Sequence, residues 1–159
     1  MRKSFMVVLI LLAVSSAGLF AQEAEASKLN VIKSIVKDSD LIIPIKDVGS
    51  NATFYPVEID GVRLEVIAVK TPDGAIRTAF NTCQVCYGSG RGFYKQVGDL
   101  LQCQNCGNRF RMSQVEKQSG GCNPVPITPQ NKTVSDTSIT IPKTYLSSAK
   151  KIFASWKRI

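Results

Sequence analysis

The residues with most chemistry to offer are five cysteines, all lying between positions 83 and 122. Cys83 and Cys86 form one Cys-x-x-Cys pair, Cys103 and Cys106 a second, and sixteen residues separate the pairs. Cys122 follows in the segment Gly120-Gly121-Cys122-Asn123-Pro124. Two such pairs at this distance have the spacing of a metal ribbon. Each pair places two thiolates on one tight turn, and the segment between them can fold back to complete a tetrahedral sulfur cage. Cys122 is an extra or exchangeable ligand, a thiol shielding the site, or a small buried side chain.

The histidine count is zero. Imidazole is therefore unavailable, which removes three-histidine zinc and copper sites and histidine-ligated haem. Haem attachment through Cys-x-x-Cys-His fails too, because Tyr87 and Gly107 follow the two pairs. Four thiolates suit zinc, a single iron in a rubredoxin-like site, or an iron–sulfur cluster. Two other readings stay open. Disulfides are common in exported chains, but an odd number of cysteines leaves one unpaired, and a bond within a Cys-x-x-Cys pair closes a very small loop. A redox-active pair usually opens a helix, whereas both pairs here lie among strand-like and glycine-rich segments. No Ser-His-Asp set, phosphate loop or paired-carboxylate site points to a hydrolase or transferase, so no enzymatic activity is expected.

The elements that must position these cysteines read mainly as β-structure. Leu41-Ile42-Ile43-Pro44-Ile45 is a candidate edge strand, since proline cannot donate to a ladder. Thr53, Tyr55, Val57 and Ile59 alternate along the next strand, and Asp60-Gly61 predicts a tight hairpin into Val62, Leu64, Val66 and Ala68. Thr71-Pro72-Asp73-Gly74 is a second turn. The strand after it, with Ile76, Thr78 and Phe80 on one face, runs straight into Cys83. A three- or four-stranded antiparallel meander thus presents the cysteine module, 81–124. Inside the module a hairpin is expected around Gly98-Asp99, Gly107 suits a knuckle, and Arg109, Phe110 and Arg111 start another strand. After Gly120-Gly121-Cys122-Asn123-Pro124 the chain reads as loop through Pro129 and Lys132. Ser138 to Pro142 can add a final strand, and Tyr145, Ala149, Ile152, Phe153 and Trp156 recur at helical spacing. That tail is read as a helix covering the sheet, with a membrane-surface helix as the alternative.

The expected fold class is accordingly mainly β (α+β): a small antiparallel meander, a rubredoxin- or zinc-ribbon-like four-cysteine module, and a C-terminal covering helix. Residues 1–21 combine Arg2 and Lys3 with an apolar run too short to span a bilayer comfortably, and read as a signal peptide or short anchor. Residues 22–40 are polar and read as a linker, leaving 41–159 as one metal-binding domain. The chain carries a net charge of +8, but its basic residues are not interleaved with aromatics, so a solvated basic surface is expected and no nucleic-acid site. Phe93, Tyr94 and Phe110 are candidates to exclude water from the site, and Arg91, Arg109 and Arg111 to offset its negative charge.

Taken in order, several of these pieces resemble the FtrD-like membrane iron–sulfur protein family, a domain associated with bacterial ferrous-iron transport. The resemblance rests on the Asp60-Gly61 hairpin, Ala79-Phe80 leading into Cys83-x-x-Cys86, Gly92-Phe93-Tyr94, Cys103-x-x-Cys106-Gly107, Gly120-Gly121-Cys122-Asn123-Pro124 and the closing strand and helix. It implies an exported, envelope-facing protein, in the periplasm or on the outer face of the cytoplasmic membrane. It further implies an iron, iron–sulfur or zinc site held by Cys83, Cys86, Cys103 and Cys106, with Cys122 beside them, and an iron permease or other envelope redox or transport protein as partner. Family members often carry many membrane helices ahead of this domain, whereas this sequence shows one short apolar segment. The alternatives that stay open are a zinc-stapled structural or binding module and a thiol–disulfide oxidoreductase.

Overall fold

A computed structural model of the chain describes residues 34–158. Residues 1–21, read as a signal peptide or short anchor, and most of the segment read as linker lie outside the described residues. Within the described part of that segment, β1 (Val36–Lys37) precedes β2 (Leu41–Pro44).

The next three strands, β3 (Thr53–Ile59), β4 (Val62–Lys70) and β5 (Ile76–Cys83), form the expected antiparallel meander. Asp60 and Gly61 both adopt positive φ, 49° and 74°, and pair Ile59 with Val62 across a two-residue turn whose twist matches the strands. At the second turn the Gly74 N–H donates to Thr71 O over 2.8 Å. Strand β5 continues through Cys83, so the first ligand candidate is itself a sheet residue.

β6 (Tyr94–Val97), β7 (Leu100–Cys103) and β8 (Arg109–Arg111) make a separate three-stranded antiparallel sheet inside the cysteine module. β9 (Pro124–Pro126) then returns to pair with β5, giving the large sheet the order β1-β3-β4-β5-β9, with β1 parallel to β3 and the remaining pairs antiparallel. The stretch after Pro124, expected to be loop through Lys132, thus contains strand as well. β9 tolerates Pro124 and Pro126 because it is an edge strand, and Ile127 just beyond it donates its N–H to Thr78 O. Finally β10 (Thr133–Val134) and β11 (Ser138–Ile141) pair with each other, and β11 with β2, in a third sheet where β2 is the expected edge.

The chain closes with a short helix, α1 (Lys143–Ser148), followed by a 3-10 turn at Lys150–Phe153. The helical spacing predicted one continuous helix as far as Trp156. Instead Ser148 Oγ donates back to Tyr145 O over 2.7 Å, a local bond that competes with helix propagation. The shorter helix still covers the sheet: Leu146 and Phe153 are buried, and Phe153 packs edge-on against Phe80. Among the described residues no helix is long and apolar enough to cross a membrane.

Two cores result. Leu64, Val66 and Ala68 of β4, with Phe80 of β5, face the one built with β2, β11 and the C-terminal helix. On the opposite face Ile67 and Val69 of β4, with Ala79 and Cys83 of β5, join Tyr94, Leu101, Cys103, Phe110, Met112 and Val115. The large sheet is therefore apolar on both faces along β4 and β5. Cys83 and Cys103 sit in the second core, with Cys86 and Cys122 packed against it, across the sheet from the helix core.

Candidate metal centre

Each Cys-x-x-Cys pair forms a turn that aims main-chain N–H groups at sulfur. The Cys83 sulfur is approached by the amides of Cys86 and Val85, and the Cys103 sulfur by those of Cys106 and Asn105. The Cys106 sulfur receives the amide of Asn108. Gly107 makes the second turn possible: its φ of 75° is left-handed, and its N–H donates to Cys103 O over 2.9 Å. The first turn is held from outside, since Cys83 N–H donates to Gly92 O over 2.7 Å. Gly92 lies so close that a Cβ there would come within 2.3 Å of Cys86 O.

The two turns meet because Asn81 joins the sheets that carry them. Its side chain accepts from Tyr94 N–H over 2.7 Å and donates to Tyr94 O over 3.2 Å, tying β5 to β6 as a strand residue would. The tail locks the same point, with Trp156 Nε1 donating to Asn81 O over 2.8 Å.

The Sγ atoms of Cys83, Cys86, Cys103 and Cys122 lie within 4.8 Å of one another. This set differs from the two-pair set that the spacing suggests. Cys122 Sγ is 3.2 Å from Cys83 Sγ and 2.9 Å from Cys106 Sγ, placing it between the two turns. Cys106 is the exposed member of the group, Cys86 and Cys122 are half-buried, and Cys83 and Cys103 are buried. Asn108 Nδ2 donates to Cys122 O over 3.0 Å, and Gly120 N–H donates to Gln84 Oε1 over 2.9 Å, so both cysteine turns hold the Cys122 loop.

The local environment divides the thiols. Burial disfavours a thiolate at Cys83, but the Tyr94 hydroxyl and the two turn amides outweigh it and hold that thiol below its ordinary value. At Cys106 the neighbouring Cys122 thiol and the Asn108 amide bring the pKa down to about 7. Burial pushes Cys86 up to about 11 and also raises Cys103 and Cys122, the latter further raised by the Cys106 and Cys83 thiols. A group of thiols this close cannot all ionise unless a cation takes up their charge.

Of the other candidates, Tyr94 and Phe110 lie in the core that encloses the cysteines. Phe93 is buried elsewhere, edge-on to Trp156 with Lys157 above its ring. Arg91, Arg109 and Arg111 are exposed, and the neighbours that shift the thiols are other thiols, Tyr94, Asn105 and main-chain amides. Asn81, Asn105, Asn108 and Gln84 organise the site without any sequence signal of their own. The one available hint was their position, each within two residues of a cysteine.

A family model described as membrane iron-sulfur containing protein FtrD-like matches residues 45–153, most of the chain. The chain belongs to the FtrD-like family. The match spans all five cysteines and the strands that carry them. Neither the curated proteins nor the solved structures give a match. The family's description names iron and sulfur, and the donor set fits it: soft thiolates from three stretches of chain converge, with N–H groups directed at their sulfurs.

Proposed function

We propose that this is an exported metal-binding protein of the bacterial envelope, which holds iron or zinc on cysteine thiolates and serves iron uptake or electron transfer without transforming a substrate itself. The observation that carries the proposal is the convergence of four sulfurs within 4.8 Å. A single tetrahedral ion with metal–sulfur bonds of about 2.3 Å holds its sulfurs about 3.8 Å apart. A cluster with its cysteines on separate irons spreads them wider. The packing therefore favours one ion per chain, and iron in that position matches the family's description better than zinc.

The protein's contribution is to hold the thiolates and keep water away. Cys83 and Cys103 present their sulfurs from strand ends, turn amides stabilise negative charge, and Tyr94 and Phe110 close the inner side. When bound, iron would supply a one-electron couple, and a partner would meet the centre at its exposed Cys106 side. The partner in this reading is an iron permease or another envelope redox or transport protein.

The test is to purify the protein without oxygen and measure metal content and the visible spectrum. Iron at one per chain with sulfur-to-iron charge-transfer bands supports the proposal. Colourless stoichiometric zinc favours a zinc-stapled binding module instead. Metal-free protein that takes up no metal but cycles reversibly between dithiol and disulfide favours the oxidoreductase reading.

A further inference from the structure

The centre has five sulfurs for four positions. Cys106 is built as a ligand: it ends a Cys-x-x-Cys-Gly turn, and the Asn108 amide is directed at its sulfur. Yet the compact set of four contains Cys122 in its place. The two compete for the same space, with their Sγ atoms 2.9 Å apart. They differ in access, since Cys106 is exposed and Cys122 half-buried. They are also mechanically linked, because Asn108 of the Cys106 turn donates to Cys122 O. Cys122 is carried on a loop whose preceding residues, Gly120 and Gly121, have φ of 86° and 67°, backbone that other residues rarely adopt.

We propose that Cys106 and Cys122 share the fourth coordination position, Cys122 as its inner occupant and Cys106 as the solvent-side occupant through which the ion enters and leaves. This deepens the thiolate–metal reading above and rests on it. In the exchange, Cys106 Sγ gives up its proton and binds while Cys122 Sγ detaches and takes up a proton. The set remains four thiolates, its charge is unchanged and no electron moves. Cys83, Cys86 and Cys103 stay in place throughout. An inner state shielded by the core retains the ion, and an outer state at the exposed turn offers it to a chelating partner.

The experiment loads the full chain and its Cys106→Ser, Cys122→Ser and double variants with cobalt(II). The charge-transfer and ligand-field absorption counts bound sulfurs, and transfer of cobalt to excess EDTA is then timed. Cys106 is exposed, so its substitution leaves both cores intact, and far-UV circular dichroism checks the fold of each variant. Each single variant is expected to bind one cobalt with a four-sulfur spectrum, because the other cysteine fills the position. Cys106→Ser should slow transfer at least tenfold, Cys122→Ser should speed it at least tenfold, and the double variant should show three sulfurs. The inference is overturned if either single variant falls to three sulfurs while the wild type shows four, or if Cys106→Ser transfers cobalt at the wild-type rate. Absence of thiolate-bound cobalt in the wild type overturns the metal reading itself, an outcome distinct from both of these.

Discussion

Sulfurs at the rim and in the interior of the centre should react differently. In metal-free protein the exposed Cys106, with a pKa near 7, is expected to be alkylated first by iodoacetamide. Because the thiolate is the nucleophile, its rate should rise through about pH 7 and level off above. Cys86, held near 11, should still be gaining reactivity there. Peptide mass spectrometry after timed labelling at pH 6, 7 and 8 checks the order. Away from the sulfurs, Glu116 and Lys132 form a buried ion pair, with Glu116 also accepting from Thr78 N–H over 2.9 Å. Glu116→Ala leaves Lys132 charged and uncompensated, and should cost about 3–5 kcal/mol. Lys132→Met added to that variant should restore part of the loss, read by urea denaturation. The spacing of the two pairs made four of the thiols legible in the sequence. It could not reveal that Cys122 would reach the middle of the group, because that depends on where β9 brings the chain back to β5.

The strands that carry the site were largely legible because their turns had specific chemistry: Asp60-Gly61, Thr71-Pro72-Asp73-Gly74 and Gly98-Asp99 each join the strands expected of them. β1 and β9 were not. A two-residue parallel strand has no period to read, and Pro124-Val125-Pro126 looks like a loop unless its place at a sheet edge is known. The shortened helix has a related cause, since the tail is drawn to the module by the Trp156 bond to Asn81 O and by Thr82 Oγ1 donating to Ile152 O. Such contacts lie outside the periodicity of the segment. At this scale Gly92 is the sensitive point. Gly92→Ala would drive a Cβ into the Cys86 carbonyl and displace the first cysteine turn. Competition titration should show metal affinity falling at least tenfold, an effect of about 1.4 kcal/mol or more. The far-UV spectrum should be nearly unchanged, because the meander does not depend on that turn.

Across the molecule, the two cores assign different dependence on metal. The helix core is a continuous apolar cluster drawn from β2, β3, β4, β5, β11 and the C-terminal helix. The cysteine core is smaller, and thiols form part of it. Because metal binding to such a module is also folding free energy, a chelator should loosen β6, β7 and β8 before the large sheet. Hydrogen exchange with and without metal should then show amide protection lost in 94–111 and retained in 53–70. Uniform loss in both would mean that the two cores unfold together.

X-ray absorption at the metal edge of the loaded protein reads out whether a single ion is surrounded by four cysteine sulfurs. One shell of four sulfurs at about 2.3 Å, with no metal–metal scattering, is the expected result. A metal–metal shell, or a first shell dominated by oxygen or nitrogen, would rule out the single four-sulfur ion.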